Sequence, residues 1–487
     1  MPKSLKKSTP ANSLKQLYKI AESGVYFTST RDEPFVEITR KGHKRNIPVN
    51  GKQFSDWLRN EALNVGLIVT GSNVRDVTET MAAKASFSDM PRQIVFRRVA
   101  SKDGNIFYDL CNDQYEAVEI RPDGWNIISN PPVRFQRLDG MGEMPHPKTG
   151  GTISDLTDLL NLPSQGDAAL LTAFCVHCLQ PNGPFPLVVI NGSKGSSKST
   201  LTRTLVGLID PNTDPLKQFP RSQQDLAIAL DERLLVAFDN VSTINHSTSD
   251  MMARISTGAS FSARKLFTDK ELIKINLNNP IIINGIPQSV DQPDLADRAI
   301  FIHLDAIKPT KRIRAEEYWE KFSEVQPYIF GLLMDGVTAM LANRQQVELA
   351  EIDRMADFHV NAVASETAFW PVGTFELAYQ STKQRWHDSQ ISKAPLAEAI
   401  IKLFKMRKEK AEKWTGWTAW TGTVKDLLNE LEYLNENYGV SNFPKNEEQL
   451  GKIIVKIKPI LHDNGIGIES TRDSTVRRTR GYRIYIL

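Results

Sequence analysis

The chain has 487 residues, 40% of them hydrophobic and 24% charged, and only three cysteines. Such a length asks for two to four domains, the balance is that of a soluble globular protein, and so few cysteines exclude a disulfide framework. No apolar stretch is expected to cross a bilayer, and the lysine-bearing N-terminus carries no signal-peptide pattern, so the chain is expected in the cytoplasm. The net charge of +3 conceals a split: residues 391–487 hold 17 Lys and Arg against 12 Asp and Glu, leaving 43 against 45 elsewhere. A basic C-terminal module on a near-neutral body points to a polyanionic partner.

In chain order, residues 25–128 carry short strand patterns, among them VYFTST, FVEITRKG and EAVEIRPDGWNII, with Asp103-Gly104 and Asp123-Gly124 as turns. Helical spacing around Phe54, Trp57 and Leu58 interrupts them, so residues 1–150 read as a strand-rich, mixed α/β N-terminal domain. A proline- and glycine-bearing loop over 129–151 closes it. From residue 187 the runs LVVI, LLVAF, PIIIN and AIFIHL alternate with helical patterns, as in a parallel sheet covered by helices. Beyond His303 a helical lid is expected to bury Tyr318, Trp319, Phe322, Ile329, Leu332 and Leu333. The expected organisation is an α/β domain over 151–345, a helical linker over 346–390 and a third domain over 391–487.

Directly after LVVI comes Asn191-Gly192-Ser193-Lys194-Gly195-Ser196-Ser197-Lys198-Ser199-Thr200, between a strand and a helix, which is the setting of a phosphate-binding P-loop. Small residues let backbone N–H groups face the phosphates of ATP, Lys198 adds positive charge, and Ser199 is placed to ligate Mg2+. Ser197 stands where such loops carry glycine. The apolar strand LLVAF ends in Asp239, which fits a carboxylate holding the magnesium from the opposite side. Asn240 follows where a water-activating glutamate is usual, leaving three readings: Asp239 serves both purposes, Asn240 orients the water for another carboxylate, or hydrolysis is slow. Asn284 ends the strand PIIIN. Arg298 either reaches a neighbouring subunit's phosphate or pairs with Asp294 or Asp297 in its own chain.

Between Asp239 and Asn284 lie two strand-like runs around a polar turn, where Arg264, Lys265, Lys270 and Lys274 could meet DNA phosphates. In the last hundred residues three helices precede a hairpin. The third, over about 447–462, is expected to bury Leu450, Ile453, Ile457 and Leu461 and expose Lys452 and Lys456. Arg477, Arg478 and Arg480 then follow in the hairpin turn, the layout of a winged helix with a basic wing. Cys175-Val176-His177-Cys178 lacks a second ligand pair at metal spacing and reads as part of an apolar helix.

The runs FDNVS, RISTGASFSARKLFTDKE, PIIINGI and PDLADRAIFIHL resemble AAA+ ATP-binding proteins of bacterial prophages and mobile elements, similar to minichromosome-maintenance-like replicative helicases. The resemblance implies a homohexameric ring that threads DNA using ATP hydrolysis. It also implies a sensor role for Asn284, an arginine finger at Arg298 and a hairpin in the ring channel. The sequence shows no recognisable primase or nuclease carboxylate cluster, so strand synthesis or cleavage is expected from a primase or other replication partners. A nucleotide-controlled initiator or loader without unwinding is the alternative, and a protein-gripping ATPase a third.

Overall fold

The computed structural model of the chain describes residues 10–264, 272–285, 293–414, 419–438, 444–472 and 480–487. Its contacts form two compact units, Met1–Tyr379 and Gln380–Leu487. The first opens with helix α1 (Pro10–Ala21), then an antiparallel sheet of β1 (Val25–Thr28), β2 (Pro34–Arg40) and β3 (His43–Pro48). Helices α2 (Lys52–Asn64) and α3 (Gly71–Ser86) follow, the second opened by Thr70, whose Oγ1 accepts from the Asn73 N–H at 3.2 Å. This reciprocal cap satisfies donors that the first helical turn leaves free. Leu17, Val36, Ile38, Phe54, Leu58 and Val77 form a small core of their own.

Strand β4 (Val95–Phe96) then leads into a meander of β5 (Val99–Lys102), β6 (Asn105–Asp109), β7 (Glu116–Arg121) and β8 (Gly124–Ser129), with β9 (Arg134–Phe135) returning to pair with β4. Asp103 and Gly104, both at positive φ (52° and 83°), make the first tight turn, as the Asp-Gly pair indicates. The buried face of the meander, Tyr108, Val118 and Ile120, belongs to the same apolar cluster as Leu171, Phe174, Leu205 and Phe330 much further along the chain. The loop over 129–151 therefore joins two regions that share one core.

After α4 (Ile153–Thr157) and α5 (Gln165–Cys178) comes the parallel sheet. Its strands are β10 (Leu187–Gly192), β11 (Val236–Val241), β14 (Ile281–Gly285) and β15 (Ala299–Leu304), with α6 (Lys198–Ile209), α7 (Gln223–Asp231) and α8 (His246–Ser256) between the first of them. An antiparallel hairpin, β12 (Ala259–Arg264) with β13 (Leu272–Leu277), precedes β14, and α9 (Pro293–Ala296) precedes β15. The order is β11-β14-β10-β15, all pairs parallel, and Lys217 adds a single bridge to Phe238 beyond β11. Strand order thus reverses about β10, which opens a crevice beyond its C-terminal end.

Helix α10 (Ala315–Asn343) is long and apolar enough to cross a membrane, contrary to the expectation that no segment approaches this. Half of its apolar window is buried here: Ile329, Phe330, Leu333, Met334 and Val337 pack in the central cluster, which accounts for the composition of the segment. Helix α11 (Ala356–Ser365) packs beside α10 and α5, and α12 (Thr374–Lys393) runs across the unit boundary.

The second unit holds α13 (Pro395–Trp414), β16 (Ala419–Thr423), α14 (Val424–Tyr438), α15 (Glu447–Asp463), β17 (Ile466–Arg472) and β18 (Arg480–Ile486), with sheet order β16-β18-β17. The strand β16 ahead of α14 is an addition to the expected three helices and hairpin. Thr423 and Asp426 cap α14, and Asn446 caps α15 by accepting from the Gln449 N–H at 2.9 Å. On α15 the buried row is Leu450, Ile454, Ile457 and Leu461, so Ile453 stands half-buried at the edge of the core, one position off the expected row. Lys452 and Lys456 are exposed as expected, Lys452 holding Glu448 at 2.6 Å.

Candidate nucleotide site

Residues 192–199 leave the C-terminal end of β10, at the reversal point, and turn into α6. A Cβ added at Gly192 would stand 2.5 Å from the Leu304 carbonyl oxygen and 2.7 Å from Ser196 Oγ, so only glycine passes between the loop and β15. Gly195 takes φ of 80°, its carbonyl accepting from the Ile307 N–H at 3.2 Å. Ser196 Oγ donates to the Ser193 carbonyl at 2.9 Å, while Lys198 Nζ donates to those of Gly192 and Ser193 at 2.7 and 2.9 Å. Lys194 and Thr200 complete the segment, Thr200 giving its carbonyl to Thr204 Oγ1. Ser197, the N-cap of α6, sits at φ 64° and ψ 28°. The glycine-to-serine departure therefore falls on a left-handed position, where a Cβ is strained.

The second half of the site comes from β11 and β14. Ser199 Oγ donates to Asp239 Oδ1 at 2.8 Å, bringing the first turn of α6 and the end of β11 into direct contact. Asn284, fully buried, accepts from the Asn240 N–H at 3.0 Å and donates to Thr202 Oγ1 at 2.9 Å. It ties the end of β11 to α6. Asn240 lies in a register shift of β11 with φ of 55°, a conformation asparagine tolerates far better than glutamate, and its side chain is exposed. Two oxygen donors in contact, Ser199 and Asp239, beside a glycine-lined cradle, make a donor set of the kind a hard divalent cation takes together with phosphate oxygens.

Arg298 is held elsewhere. Its carbonyl accepts from the Leu187 N–H at 2.9 Å, at the N-terminal end of β10, so five strand residues, about 17 Å, separate it from the loop of its own chain. Arg298 Nη1 pairs with Asp294 at 2.7 Å, one of the two acids expected as alternative partners, and its buried Nε has no partner among the described residues. Arg354, half-exposed, reaches the same Asp294 at 2.8 Å and Asp297 at 3.5 Å. These guanidinium contacts hold the Asp294 carboxyl below its ordinary range, the Arg298 hydrogen bond contributing most.

Two residues that no motif marks also face the loop. Asn161 Nδ2 donates to the Asp305 carbonyl at 2.8 Å and toward that of Ser196, and Arg312 Nη2 lies within 3.3 Å of where a Gly195 Cβ would stand. Of the expected DNA contacts, Arg264 and Lys274 lie on the paired strands of the β12–β13 hairpin, and Arg480 opens β18. Lys265, Lys270, Arg477 and Arg478 lie outside the described residues. At the other end of the site helix, Arg98 is fully buried and its Nε donates to Asp210 at 3.0 Å, while Tyr108 Oη donates to the Ile209 carbonyl at 2.8 Å. Burial opposes the charge on Arg98, but Tyr108, Asp210 and neighbouring groups outweigh it and raise its pKa.

Fold and site together define a mixed α/β protein with a glycine-bearing loop at the reversal point of a parallel sheet. Residues 153–382 match the family described as the actinomycete integrative conjugative element replication protein, and residues 396–486 match the C-terminal domain of that replication protein. Both matches are thus to segments of one described replication protein. No curated protein matches it. Among solved structures it is similar to the NrS-1 C-terminal region in an apo A form, at 13% identity over 97% of this chain and 99% of that one, TM-score 0.44. It is also similar to a structure titled as an active helicase, Cch of SCCmec type IV, at 11% identity over 95% and 93%, TM-score 0.45.

Proposed function

We propose that the chain is an AAA+ ATPase that translocates on and unwinds DNA during replication of a mobile element, in the cytoplasm and as a hexameric ring. The observation that carries this reading is the Ser199–Asp239 contact at 2.8 Å across the mouth of the β10 loop. With ATP and Mg2+ bound, the cation would neutralise charge developing on the transferred phosphoryl group. The loop N–H groups and Lys198 hold the phosphates, Ser199 and Asp239 hold the cation, and Asn240 orients the attacking water. Asn284 positions Asn240 through its backbone and senses the same phosphate. A finger from the Arg298 edge of the sheet completes a neighbouring subunit's site, Arg298 or the more exposed Arg354 supplying the guanidinium. The distance of that edge from its own loop supports action between subunits.

The β12–β13 hairpin faces DNA in the ring channel, with Arg264, Lys265, Lys270 and Lys274 on phosphates. The second unit is a winged helix whose Lys452, Lys456, Arg477, Arg478 and Arg480 grip the duplex, and a primase acts beside it.

The test is ATP turnover with and without single-stranded and forked DNA, scored together with strand separation. DNA-stimulated turnover with unwinding, lost in Lys198→Ala and Asp239→Ala, is expected. Activity recovered on mixing Lys198→Ala with Arg298→Ala or Arg354→Ala would identify the finger. Nucleotide binding without turnover, with DNA held but not opened, would sink the helicase reading in favour of a nucleotide-controlled initiator.

A further inference from the structure

Between the β2–β3 hairpin, α2 and residues 131–137 lies a cavity of about 1030 Å3 that the proposed activity does not use. Seven arginines and lysines line it against three carboxylates. Two of the acids are already neutralised: Glu37 is shared by Lys44 at 3.2 Å and Arg134, and Asp109 holds Arg137 at 2.6 Å. Among the described residues no carboxylate pairs with Arg40, Arg45 or Lys102, and Lys102 Nζ reaches only the Pro132 carbonyl, at 3.3 Å. Arg45 and Arg137 lie 4.0 and 3.9 Å from the centroid of one ring, that of Tyr115, and the buried Arg45 Nε has no hydrogen-bond partner among the described residues. Burial, then the like charges of Arg40 and Arg137, hold the Arg45 guanidinium below its usual range against the opposing pull of Tyr115 and Asp113.

Gathering like-charged guanidinium groups in a partly desolvated cavity is unfavourable until an anion enters, and rings that fix their orientation prepare them for one. The cations are spread along the cavity rather than converged on one point: Arg40 at the hairpin tip, Arg92 before β4, Lys102 at the end of β5. Half-buried Trp57 and Phe96 lie among them, the interleaving of charge and ring that suits a strand with its bases unstacked. A cavity of this size, at the upper end of the usual range of about 300–1,000 Å3 for small-molecule sites, has room for more than one nucleotide. We propose that this cavity is a second nucleic-acid site, holding a segment of single-stranded DNA with its phosphates on Arg40, Arg45 and Lys102 and a base against Trp57. The assignment rests on the reading of the chain as a DNA-directed protein.

The test uses the full chain, a fluorescent oligothymidylate followed by anisotropy across a salt series, and a 5-iododeoxyuridine oligomer crosslinked and mapped by mass spectrometry. Arg40 and Lys102 are exposed, so the double variant Arg40→Glu with Lys102→Glu leaves the core intact. It is expected to weaken binding about tenfold or more and to flatten the salt slope by about 1.4, two phosphate contacts' worth. Arg45→Gln should weaken binding in the same direction, and ATP turnover without DNA should not change in either. Crosslinks should fall within residues 53–60 of α2. If the parent chain binds DNA and the double variant binds it equally, with crosslinks only elsewhere, this assignment falls and the proposed function stands. If the parent chain binds no DNA, both fall. If a deoxynucleoside triphosphate displaces the crosslink equally well in a Lys198→Ala background, the cavity takes a free nucleotide and the strand assignment is wrong.

Discussion

The two ends of helix α6 (Lys198–Ile209) are built to opposite specifications. At its N-terminus the polar groups of the β10 loop satisfy one another through contacts a phosphate can replace: Lys198 on two carbonyls and Ser199 on Asp239. At its C-terminus the contacts are buried. Asp210 accepts from Arg98 and from the N–H groups of Leu234 and Leu235, while Tyr108 takes the Ile209 carbonyl. A cation at a helix C-terminus also complements the helix dipole, as an anion does at the N-terminus. The meander of β5–β8 is thus a brace for α6. What differs is exchangeability: one end is left able to trade partners and the other is locked, so that events at the loop move against a fixed anchor.

Substitutions at the two ends should separate turnover from stability. Lys198→Ala is expected to lower ATP turnover by about 100-fold or more while leaving the thermal midpoint unchanged, since among the described residues Nζ bonds two loop carbonyls. Arg98→Ala should do the reverse. Removing one member of a fully buried pair leaves Asp210 partly uncompensated, a loss of about 3–5 kcal/mol in denaturant titrations. Nucleotide binding by the folded fraction should persist. Equal turnover losses in both variants without a stability difference would break the distinction.

A further locked polar group lies on α5, where fully buried His177 bonds the Pro184 carbonyl at 2.8 Å and contacts Gln180 and Asn361. Burial lowers its pKa to about 4, with the Pro184 contact opposing. The unfolded chain therefore binds a proton near pH 6.5 that the folded chain refuses until about pH 4, and stability falls as pH drops through that window. The loss from this group is on the order of 3 kcal/mol, read as the pH dependence of unfolding. His177→Phe should flatten that dependence even if it lowers stability at neutral pH; an unchanged slope would mean that other groups carry it.

The parallel strands and the loop were legible because their signals are local: β-branched runs, small residues, and a lysine-serine pair at a strand-to-helix junction. The brace was not. Arg98 and Asp210 are 112 positions apart, and a buried arginine reads in sequence like a surface one until its partner is known. Asn161 and Arg312 were missed for the same reason, each reaching the loop from a connecting segment without a motif. On α15 the helical period was right, but Ile453 and Ile454 are both apolar, and only packing decides which of them faces the core. The departures at Ser197 and Asn240 were visible as residue types, but the backbone state they share was not. Both sit at positive φ, which spacing does not encode.

That shared backbone state yields the smallest effects and the sharpest check on the exchangeable end. A non-glycine residue in the left-handed region costs on the order of 1 kcal/mol, so Ser197→Gly should raise stability by about that amount with turnover retained. At 240 the ranking is different. Asparagine is already among the residues that tolerate this conformation, so Asn240→Gly should be near neutral for folding but slow hydrolysis if the amide orients water. Asn240→Glu installs the carboxylate usual at this place in P-loop ATPases, on a backbone that disfavours it. It is expected to cost about 1 kcal/mol and to give no gain in turnover. A large gain would mean that the β11 register shift relaxes around the glutamate, and that chemistry rather than backbone geometry set the choice of asparagine.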